Sequence, residues 1–500
     1  MDQSFLDGRV VLKPGDCRES LKHIPDNSVD AAVTDPPYAL VSIVKRFGSA
    51  TAAPAVPQEG SAGAYSRASA GFMGKHWDTG ETAFAVEFWQ EVFRVLKPGG
   101  FVVAFSGTRT YHRMAVAIED AGFEIRDMGQ WLYGTGFPKS HDMPKAIETH
   151  KFQEWLDVHP EVRTRYAKLN AWAKSRDKRK VSKGIRGRIE AAFRRRAGII
   201  GDVIGSETIT NDMRNSGHLN TGKDAARAAY SRDVSASILP EAMEWDGWGT
   251  ALKPAVEPIC IARKPCAVPD GKGGMREATV AENLLYWGTG AINVRACKIE
   301  AEKATGWGGS AGGGGTWNES NSGLGKDGAP RPSQGRFPAN VITDGSPEVM
   351  AMFPESAPAT PGQKQTPKKG TNAYGDFAGT DAFVGHTDAG GSAARFFYSA
   401  KADGDDRLGS NHPTVKPVDL MRWLVRLVCR KGGVVLDPFA GTGTTGAAAY
   451  WEGCAAILCE REAEYQADIA KRMKLVLAGP DEKKRARTEA VPVEGLPLFS

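Results

Sequence analysis

A glycine-rich turn between two apolar runs constrains the fold of this chain more than any other feature. Residues 432–436 have the pattern of a buried strand and lead into Gly441-x-Gly443-x-x-Gly446, after which an alanine-rich helix is predicted. A second strand is predicted over residues 455–459 and ends at Glu460, 19 residues after the first glycine. Such glycines let the backbone approach a ligand, and the acid can bind a ribose diol. The pattern predicts an α/β sheet with a nucleotide-type cofactor, and by itself it suits a nicotinamide cofactor equally well.

A second motif follows another predicted strand. Residues 29–33 are β-branched and alanine-rich, and they lead to Asp35-Pro36-Pro37-Tyr38. The Asp35 carboxylate can accept a hydrogen bond from an exocyclic NH2 group, and the prolines, which lack an N–H, allow a backbone carbonyl to point outward as a second acceptor. The ring of Tyr38 offers a face on which a base can stack. The motif predicts a site for the edge of a planar amine, and a plain proline turn is the structural alternative.

The N-terminal region alternates between strand and helix patterns. Residues 8–34 read as strand, turn, helix and strand. Further elements are predicted over residues 84–96 (helix), 101–105 (strand), 111–121 (helix) and 123–133 (strand or hairpin). This alternation predicts a mostly parallel sheet with helices on both faces. Residues 39–82 form a long loop rich in Ala, Gly, Ser and Pro, which we interpret as a lid over the site.

The composition is that of a soluble globular protein. The chain has 500 residues, enough for two domains, with 25% charged and 41% hydrophobic residues. No apolar run approaches the roughly 20 residues of a membrane span, and no N-terminal signal pattern is present. We therefore expect a cytoplasmic protein with no membrane partner. The seven cysteines form no Cys-x-x-Cys pair, so we expect neither a disulfide framework nor a metal site.

Positive charge is concentrated in one segment. Residues 163–196 contain 14 Lys and Arg against Asp177 and Glu190, a local charge of +12, whereas the whole chain carries only +5. Such asymmetry predicts a polyanionic partner that contacts this region. The candidate phosphate-binding residues are Lys178, Arg179, Arg194 and Arg195. A solvated helical hairpin is the alternative.

Together, the two motifs resemble those of the amino-group DNA methyltransferases, which methylate the exocyclic nitrogen of adenine or cytosine. The Asp-Pro-Pro-Tyr motif comes first, then a long insert, then His412-Pro413-Thr414-Val415-Lys416-Pro417, and last the glycine-rich turn. This order resembles that of the β group of the family. Residues 252–259, 335–340 and 398–402 are similar to its phage and prophage branch.

The resemblance implies a fold and a domain organisation. The fold would be a doubly wound, mostly parallel, seven-stranded Rossmann-like sheet that binds S-adenosylmethionine, with a large inserted recognition region. The expected parts are residues 1–138 (catalytic half), 139–395 (target-recognition insert), 396–478 (cofactor-binding half) and 479–500 (disordered tail). The partner would be double-stranded DNA in a bacterial host cell.

The resemblance also implies a role for each motif residue. Asp35, Pro36, Pro37 and Tyr38 would bind a base that has been flipped out of the duplex. The cofactor would be held by Asp16, Thr414, Lys416, Asp437, Pro438, Phe439, Gly441, Gly443 and Glu460. Direct transfer to an amine needs no covalent nucleophile, so Pro265-Cys266, a dipeptide that carbon-5 cytosine methyltransferases use, is interpreted as structural.

Several functional alternatives stay open. Aspartate at the first motif position favours adenine over cytosine, although both amines have similar geometry. A catalytically silent DNA-binding protein and a nicotinamide oxidoreductase are more distant alternatives. No nuclease motif is visible, so we expect a solitary modification enzyme. The sequence does not determine its recognition site or oligomeric state.

The C-terminal residues contain a further candidate motif. Gly495-Leu496-Pro497-Leu498-Phe499 resembles the short peptides that dock in the bacterial sliding clamp, although the usual leading glutamine is absent. The sequence therefore suggests the sliding clamp as an additional partner.

Overall fold

The computed structural model describes residues 2–38, 82–134, 136, 140–175, 179–209, 230–299, 336–357, 370–372, 375–377, 391–400, 404–410, 412 and 414–479. The chain forms two compact units, one of Met1–Gly134 with Val256–Ser500 and one of Thr135–Ala255. The predicted lid and the predicted tail lie almost entirely outside the described residues, so both stay predictions.

The described strands are short, and most belong to one sheet. They are β1 (Gln3–Phe5), β2 (Val10–Pro14), β3 (Val29–Thr34), β4 (Leu96–Phe105), β5 (Glu124–Leu132), β6 (Ile200–Ile209), β7 (Tyr230–Ser237), β8 (Val256–Arg263), β9 (Ala267–Pro269), β10 (Met275–Glu277), β11 (Val341–Thr343), β12 (Glu355–Ser356), β13 (Gly370–Asn372), β14 (Gly375–Phe377), β15 (Gly391–Ser392), β16 (Tyr398–Ser399), β17 (Val434–Asp437) and β18 (Ala455–Glu460).

The main sheet of the first unit has ten strands in the order β1-β2-β18-β17-β3-β4-β8-β5-β11-β16. The neighbours from β2 to β4 are parallel, whereas β8 is antiparallel to both β4 and β5. These seven strands form the predicted doubly wound sheet, and the fold class is confirmed. The other three strands extend its two edges. At one edge, β1 pairs antiparallel with β2. At the other edge, β11 pairs parallel with β5, and β16 pairs parallel with β11.

The α-helices cover both faces of this sheet and build most of the second unit. They are α1 (Cys17–Lys22), α2 (Val86–Val95), α3 (Tyr111–Asp120), α4 (Met143–Asp157), α5 (Pro160–Ser175), α6 (Arg179–Arg196), α7 (Pro240–Met243), α8 (Val280–Trp287), α9 (Pro347–Met350), α10 (Gly404–Arg407), α11 (Val418–Val428), α12 (Thr444–Trp451) and α13 (Ala463–Leu475). Short 3-10 turns at Arg295–Cys297 and Ala393–Phe396 complete the described helical segments.

Alternation along the buried strands divides the core of the first unit into two layers. In β3, Ala31 and Val33 face the layer that contains α11, whereas Val29 and Ala32 face the layer that contains α2. All six residues of β3 are buried, as expected for a central parallel strand. The one acid among them, Asp30, accepts hydrogen bonds from Lys97 Nζ and from the Val434 amide, so its charge is compensated.

The second unit has a small core of its own. Helices α4, α5 and α6 pack around Phe152, whose ring meets that of Tyr166 edge-on, and Tyr166 in turn contacts Phe193. Strands β6 and β7 form an antiparallel hairpin. The unit ends at Ala255, whereas the predicted insert extended from residue 139 to residue 395. The reason for the difference is that β8 and β11, which lie within 256–395, are strands of the main sheet.

Two kinds of feature are absent from the described residues. No helix among them is long and apolar enough to cross a membrane. No group of three or more His, Cys, Asp or Glu side chains in the same part of the chain could hold a metal ion.

Candidate active site

The two sequence motifs lie side by side at the carboxyl ends of neighbouring strands. β3 and β17 are parallel and pair Ala32 with Leu436. Immediately beyond this pair, Thr34 Oγ1 donates a hydrogen bond to Asp437 Oδ1 over 2.6 Å, although the two residues are 403 positions apart in the sequence. Ligands of open α/β sheets bind outside the carboxyl ends of the strands. The fold therefore joins both motifs in one site.

Asp437 orders the glycine-rich turn through internal hydrogen bonds. Its carboxylate also accepts from Thr445 Oγ1 over 2.5 Å and from the Phe439 amide over 3.1 Å, and the residue is only 3% exposed. Burial raises its pKa to about 6, while these hydrogen bonds act in the opposite direction. Both carboxylate oxygens therefore have partners within the protein, and these hydrogen bonds fix the conformation of the turn.

The glycines of the turn are required by backbone conformation and by close packing. Gly441 and Gly443 have φ values of +52° and +78°, a region that disfavours other residues. A Cβ atom on Gly443 would lie 3.0 Å from Ile469 Cγ1, and one on Gly446 would lie 2.8 Å from Leu458 Cδ1. The turn and the start of α12 are thus held close to the rest of the fold.

Glu460 and Asp16 lie at the carboxyl ends of the paired strands β18 and β2, beside this turn. The Glu460 carboxylate accepts from the amides of Gly441 and Glu462, each over 2.8 Å, and burial raises its pKa to about 7. Asp16 follows the end of β2, where Pro14 pairs with Glu460. Its carboxylate caps α1 by accepting from the Arg18 amide, and the Arg18 side chain lowers its pKa. The predicted cofactor acids are therefore neighbours, and Asp16 also has the structural role of a helix cap.

The segment before α11 lies against the same turn. The His412 ring is buried, and its Nε2 would be 3.2 Å from a Cβ atom on Gly441. Burial lowers the pKa of His412 to about 4, so the ring is neutral near pH 7. Thr414, predicted near the cofactor, is exposed, and its amide donates to His412 Nδ1 over 3.3 Å.

Asp35 is part of a compact charged cluster. Lys416 Nζ lies 2.5 Å from Asp35 Oδ2 and 3.2 Å from Glu257 Oε2. The Tyr38 hydroxyl donates to Glu257 Oε2 over 3.0 Å and accepts from Lys416 Nζ over 3.1 Å. Lys416 was predicted near the cofactor. The structure instead shows it in direct contact with the base-binding motif.

Burial and opposite charge act together within this cluster. Burial by itself would lower the pKa of Lys416, but Asp35 and Glu257 outweigh it and raise that pKa. Burial also raises the pKa of Glu257, and Lys416 opposes this increase. The pKa of the Tyr38 hydroxyl is raised well above its ordinary value by burial and then by the two carboxylates. Lys416 and Tyr38 are accordingly protonated at neutral pH.

One oxygen of Asp35 has no hydrogen-bond partner among the described residues. Asp35 Oδ2 contacts Lys416, whereas Oδ1 is buried and makes no hydrogen bond to any residue that the structure describes. A buried carboxylate oxygen is normally hydrogen-bonded, so this exception requires an explanation. The geometry leaves this oxygen available to accept a hydrogen bond from a donor, and its role towards a base stays a prediction.

The rest of the Asp-Pro-Pro-Tyr motif is fixed by the protein around it. The Tyr38 carbonyl accepts from Thr110 Oγ1 over 2.7 Å. Lys416 Nζ lies 5.4 Å from the centre of the Tyr38 ring and 4.9 Å from the centre of the Phe105 ring. Pro36 is buried and Pro37 is half-buried. The motif is thus a preorganised element, which suits a site that positions a base.

Sequence reasoning missed the contributions of Thr34 and Glu257. Thr34 was noted as the residue directly before the Asp-Pro-Pro-Tyr motif, and no role was assigned to it. Glu257 belongs to β8 and to the segment 252–259, which was noted for its similarity to other proteins and not for chemistry. The sequence signal for Glu257 was a carboxylate within a mostly apolar strand. This signal is too weak to identify Lys416 as its partner, because Lys416 lies more than 150 residues away in the sequence.

The remaining predicted residues near the turn are packed. Pro438 is buried, and the Phe439 ring lies 5.2 Å from the Phe88 ring.

Cys266 is also buried, and burial raises the pKa of its thiol. A protonated, buried thiol is inert as a nucleophile, in agreement with the structural interpretation of Pro265-Cys266.

The structure changes the assignment within the basic segment. Lys178 lies outside the described residues, and only the backbone of Arg179 is described. The guanidinium of Arg194 pairs with Glu190 at 2.6 Å and with Glu148 at 3.6 Å, and its side chain is 12% exposed. Arg194 is therefore an internal ion-pair residue and a poor candidate for binding phosphate. Arg195 is half-buried, so exposed cations nearby are better candidates.

Fold and site together define a doubly wound α/β protein with a glycine-rich turn beside the Asp-Pro-Pro-Tyr motif. The sequence model of the N6_N4_Mtase family, described as DNA methylase, matches residues 29–472, and the chain belongs to this family. The family expected from the two motifs is confirmed.

Short segments also match individual relatives. The chain is 49% identical over 47 residues to the type II methyltransferase M.HindIII of Haemophilus influenzae, covering 9% of this chain and 15% of that protein. It is 46% identical over 55 residues to the DNA adenine methyltransferase YhdJ of Escherichia coli, covering 11% and 19%. The matched segments thus span less than a quarter of either relative.

Comparison with solved structures gives extensive but loose superpositions. TTHA0409 from Thermus thermophilus superposes with a TM-score of 0.33 at 16% identity, covering 94% of this chain and 96% of that one. The cytosine-N4-specific PvuII DNA methyltransferase gives a TM-score of 0.35 at 13% identity, covering 96% and 93%.

Proposed function

We propose that the protein transfers a methyl group from S-adenosylmethionine to the 6-amino group of adenine in double-stranded DNA. The observation that carries this proposal is the buried Asp35 Oδ1, which has no hydrogen-bond partner among the described residues, at the end of the strand beside the glycine-rich turn. An amine inside a duplex cannot reach such an oxygen, so the base must be flipped out of the helix.

The residues of the turn suit this cofactor. Gly441 and Gly443 allow the backbone to approach a nucleotide, and Glu460 presents a buried carboxylate that can accept from ribose hydroxyls. Asp16 lies at the end of the adjoining strand, where it can contact the adenine ring. When bound, S-adenosylmethionine supplies an electrophilic methyl group on a sulfonium.

The protein's own contribution to the reaction is position and charge. Asp35 Oδ1 and an outward-facing backbone carbonyl would accept the two N–H groups of the amine, which directs its lone pair towards the methyl group. The new nitrogen–carbon bond forms as the carbon–sulfur bond breaks, with the electron pair going to sulfur. The nitrogen becomes positively charged and then loses a proton, for which Asp35 Oδ1 would be the acceptor. No covalent enzyme intermediate is needed.

Adenine is proposed over cytosine on the basis of the motif and of one relative. Aspartate stands at the first motif position, and YhdJ is named as an adenine methyltransferase. Cytosine N4 methylation by the same site is the second candidate, since its amine presents similar geometry. The similarity of three segments to phage and prophage enzymes suggests that origin, and we further propose a cytoplasmic, solitary modification enzyme. The sliding-clamp motif lies outside the described residues and stays a prediction.

Nucleoside mass spectrometry tests the reaction directly. The purified protein is incubated with S-adenosylmethionine and unmethylated bacterial DNA, and the DNA is then digested to nucleosides. We expect N6-methyladenine. N4-methylcytosine would establish the second candidate, and cofactor binding without methylation of any DNA would instead favour a catalytically silent DNA-binding protein.

The exposed cations of α5 and α6 are expected to contact DNA phosphates. Arg165, Lys168, Arg188 and Arg196 are exposed on these helices. Each phosphate contact adds about 0.9 to the slope of log K against log salt concentration. Changing all four residues to Ala should flatten this slope by about two to four units and leave sequence preference unchanged, because phosphate contacts position the protein while base contacts specify the site.

Fluorescence anisotropy with labelled duplexes at several salt concentrations measures this slope. A variant with four exposed cations of the first unit changed to Ala (Lys22, Lys272, Arg276 and Lys474) is the matched control. An unaltered slope in the α5–α6 variant would show that these helices face solvent.

A further inference from the structure

The cluster around Asp35 contains two charged groups for which direct methyl transfer has no evident need. Lys416 Nζ lies 2.5 Å from Asp35 Oδ2, and Glu257 Oε2 lies 3.2 Å from the same ammonium. The Lys416 side chain is 5% exposed, and the side chains of Asp35 and Glu257 are 19% and 16% exposed. Placing three charged groups in such a dry environment is costly, so their arrangement calls for a reason.

The contacts of Lys416 fix the orientation of Asp35. The ammonium engages Oδ2 and leaves Oδ1 buried without a partner in the described part of the chain. An unrestrained carboxylate could rotate and present either oxygen, whereas a held one presents the same oxygen to every incoming base. Lys416 is itself held by the Tyr38 hydroxyl and by Glu257.

The charges of the cluster follow from its composition. With both carboxylates ionised beside the ammonium, the cluster carries a net charge of −1, and the Tyr38 hydroxyl adds none. Without Glu257, Lys416 would neutralise Asp35, and the cluster would lose its electrostatic attraction for a nitrogen that becomes cationic. Fixed charges that are oriented towards a developing charge are among the largest contributions to catalysis.

We propose that Lys416 and Glu257 are positioning residues, which set respectively the orientation and the net charge of Asp35. Lys416 holds Oδ2 so that Oδ1 faces the amine, and Glu257 compensates the ammonium so that the cluster keeps one negative charge. This inference rests on the proposed methyl transfer to an amino group.

Proton transfer after the reaction gives the same arrangement a second consequence. When the methylated nitrogen loses a proton to Asp35, the N–H bond breaks and an O–H bond forms. The cluster, which began at −1, then becomes neutral. Without Glu257 the same step would leave a buried charge of +1, which is unfavourable in a low-dielectric site. Glu257 thus favours both the methyl transfer and the later removal of the proton.

A charge-compensation experiment tests the proposal. Glu257→Gln keeps an oxygen acceptor for Lys416 and Tyr38 but removes the charge, and we expect kcat to fall by about 10- to 100-fold, as for the loss of an electrostatic contact to a transition state. The KM for DNA and the Kd for S-adenosylmethionine should change by less than about threefold, since the cluster is expected to act mainly on the developing charge. Glu277→Gln, at an exposed carboxylate of β10, is the matched control.

The double variant Glu257→Gln with Lys416→Met restores the net charge of −1. We expect its kcat to exceed that of Glu257→Gln alone by at least about fivefold but to stay below that of the wild type, because the net charge is restored while the hold of Lys416 on Asp35 Oδ2 is not. A purely structural role predicts the opposite order, with the double variant no better than the single one. Wild-type kcat in Glu257→Gln would likewise overturn the inference. If the wild-type protein itself methylates no DNA, that result contradicts the proposed function. A contradiction of the roles of Lys416 and Glu257 requires an active wild-type protein whose variants behave as just described.

Discussion

Replacing Asp35 with Ala is expected to abolish methyl transfer while leaving S-adenosylmethionine bound with nearly unchanged affinity. The carboxylate contacts Lys416 through one oxygen, and its other oxygen has no partner in the described part of the chain, whereas the glycine-rich turn is ordered by Asp437 and Glu460. Loss of an oriented acceptor costs about 10²- to 10³-fold in rate, and loss of the proton acceptor should add to this. Nucleoside mass spectrometry measures transfer, and isothermal titration calorimetry measures cofactor binding.

The same substitution leaves Lys416 with Glu257 as its one remaining carboxylate partner among the described residues. Breaking a buried ion pair costs about 3–5 kcal/mol, so thermal unfolding must be measured alongside activity. Asp35→Asn keeps the shape and reduces this cost, and Asp419→Ala, at a side chain that is 67% exposed, controls for loss of an acid near α11. An equal loss of cofactor affinity in Asp35→Ala would show that Asp35 belongs to the cofactor site.

Replacing Gly443 with Asp should abolish both cofactor binding and methyl transfer. The backbone at this position has φ of +78°, and a Cβ atom would lie 3.0 Å from Ile469 Cγ1 and 3.5 Å from Ile469 Cα. The turn must therefore move, and a negative charge is added beside the carboxylates that already surround it. We expect the Kd for S-adenosylmethionine to rise by more than about 100-fold, a loss of about 2.7 kcal/mol.

Gly432→Asp separates this effect from backbone strain. Gly432 has almost the same φ, +79°, but a Cβ atom there would have no heavy atom within 4 Å. Both variants bear the conformational cost of a non-glycine residue in the left-handed region, about 1–2 kcal/mol, although Asp tolerates it better than most residues. If Gly432→Asp lost cofactor affinity to the same extent, general destabilisation would explain both results.

Local patterns were sufficient to predict the sheet and the glycine-rich turn. The burial of β3 and of most of β17 follows from short apolar runs, and Gly441 and Gly443 are needed for the backbone conformation itself. Strand burial and glycine conformation depend mainly on residues that are close in the sequence, so they can be predicted from one sequence. The same holds for α11, whose apolar residues recur at helical spacing and face the core.

Contacts between distant segments could not be predicted in this way. Glu257 and Lys416 owe their role to Asp35, which is 381 residues away from Lys416 in the sequence, and no local pattern encodes such pairing. The extent of the inserted region is a similar case, because hydrophobicity indicated a strand near β8 but could not show that β8 and β11 pair within the main sheet. The sequence showed that the basic segment is charged. It could not show that Arg194 forms ion pairs with Glu148 and Glu190, because the pair with Glu148 depends on tertiary packing.

The pairing of β5 with β8 has a consequence for how such a protein can diversify. These antiparallel strands pair from Glu124 with Arg263 to Leu132 with Val256, so the chain leaves and re-enters the sheet at adjacent points. Everything in Thr135–Ala255 is topologically the loop of one hairpin. A segment attached in this way can lengthen, shrink or be exchanged during evolution at little cost in loop-closure entropy, while the residues that perform the chemistry keep their places.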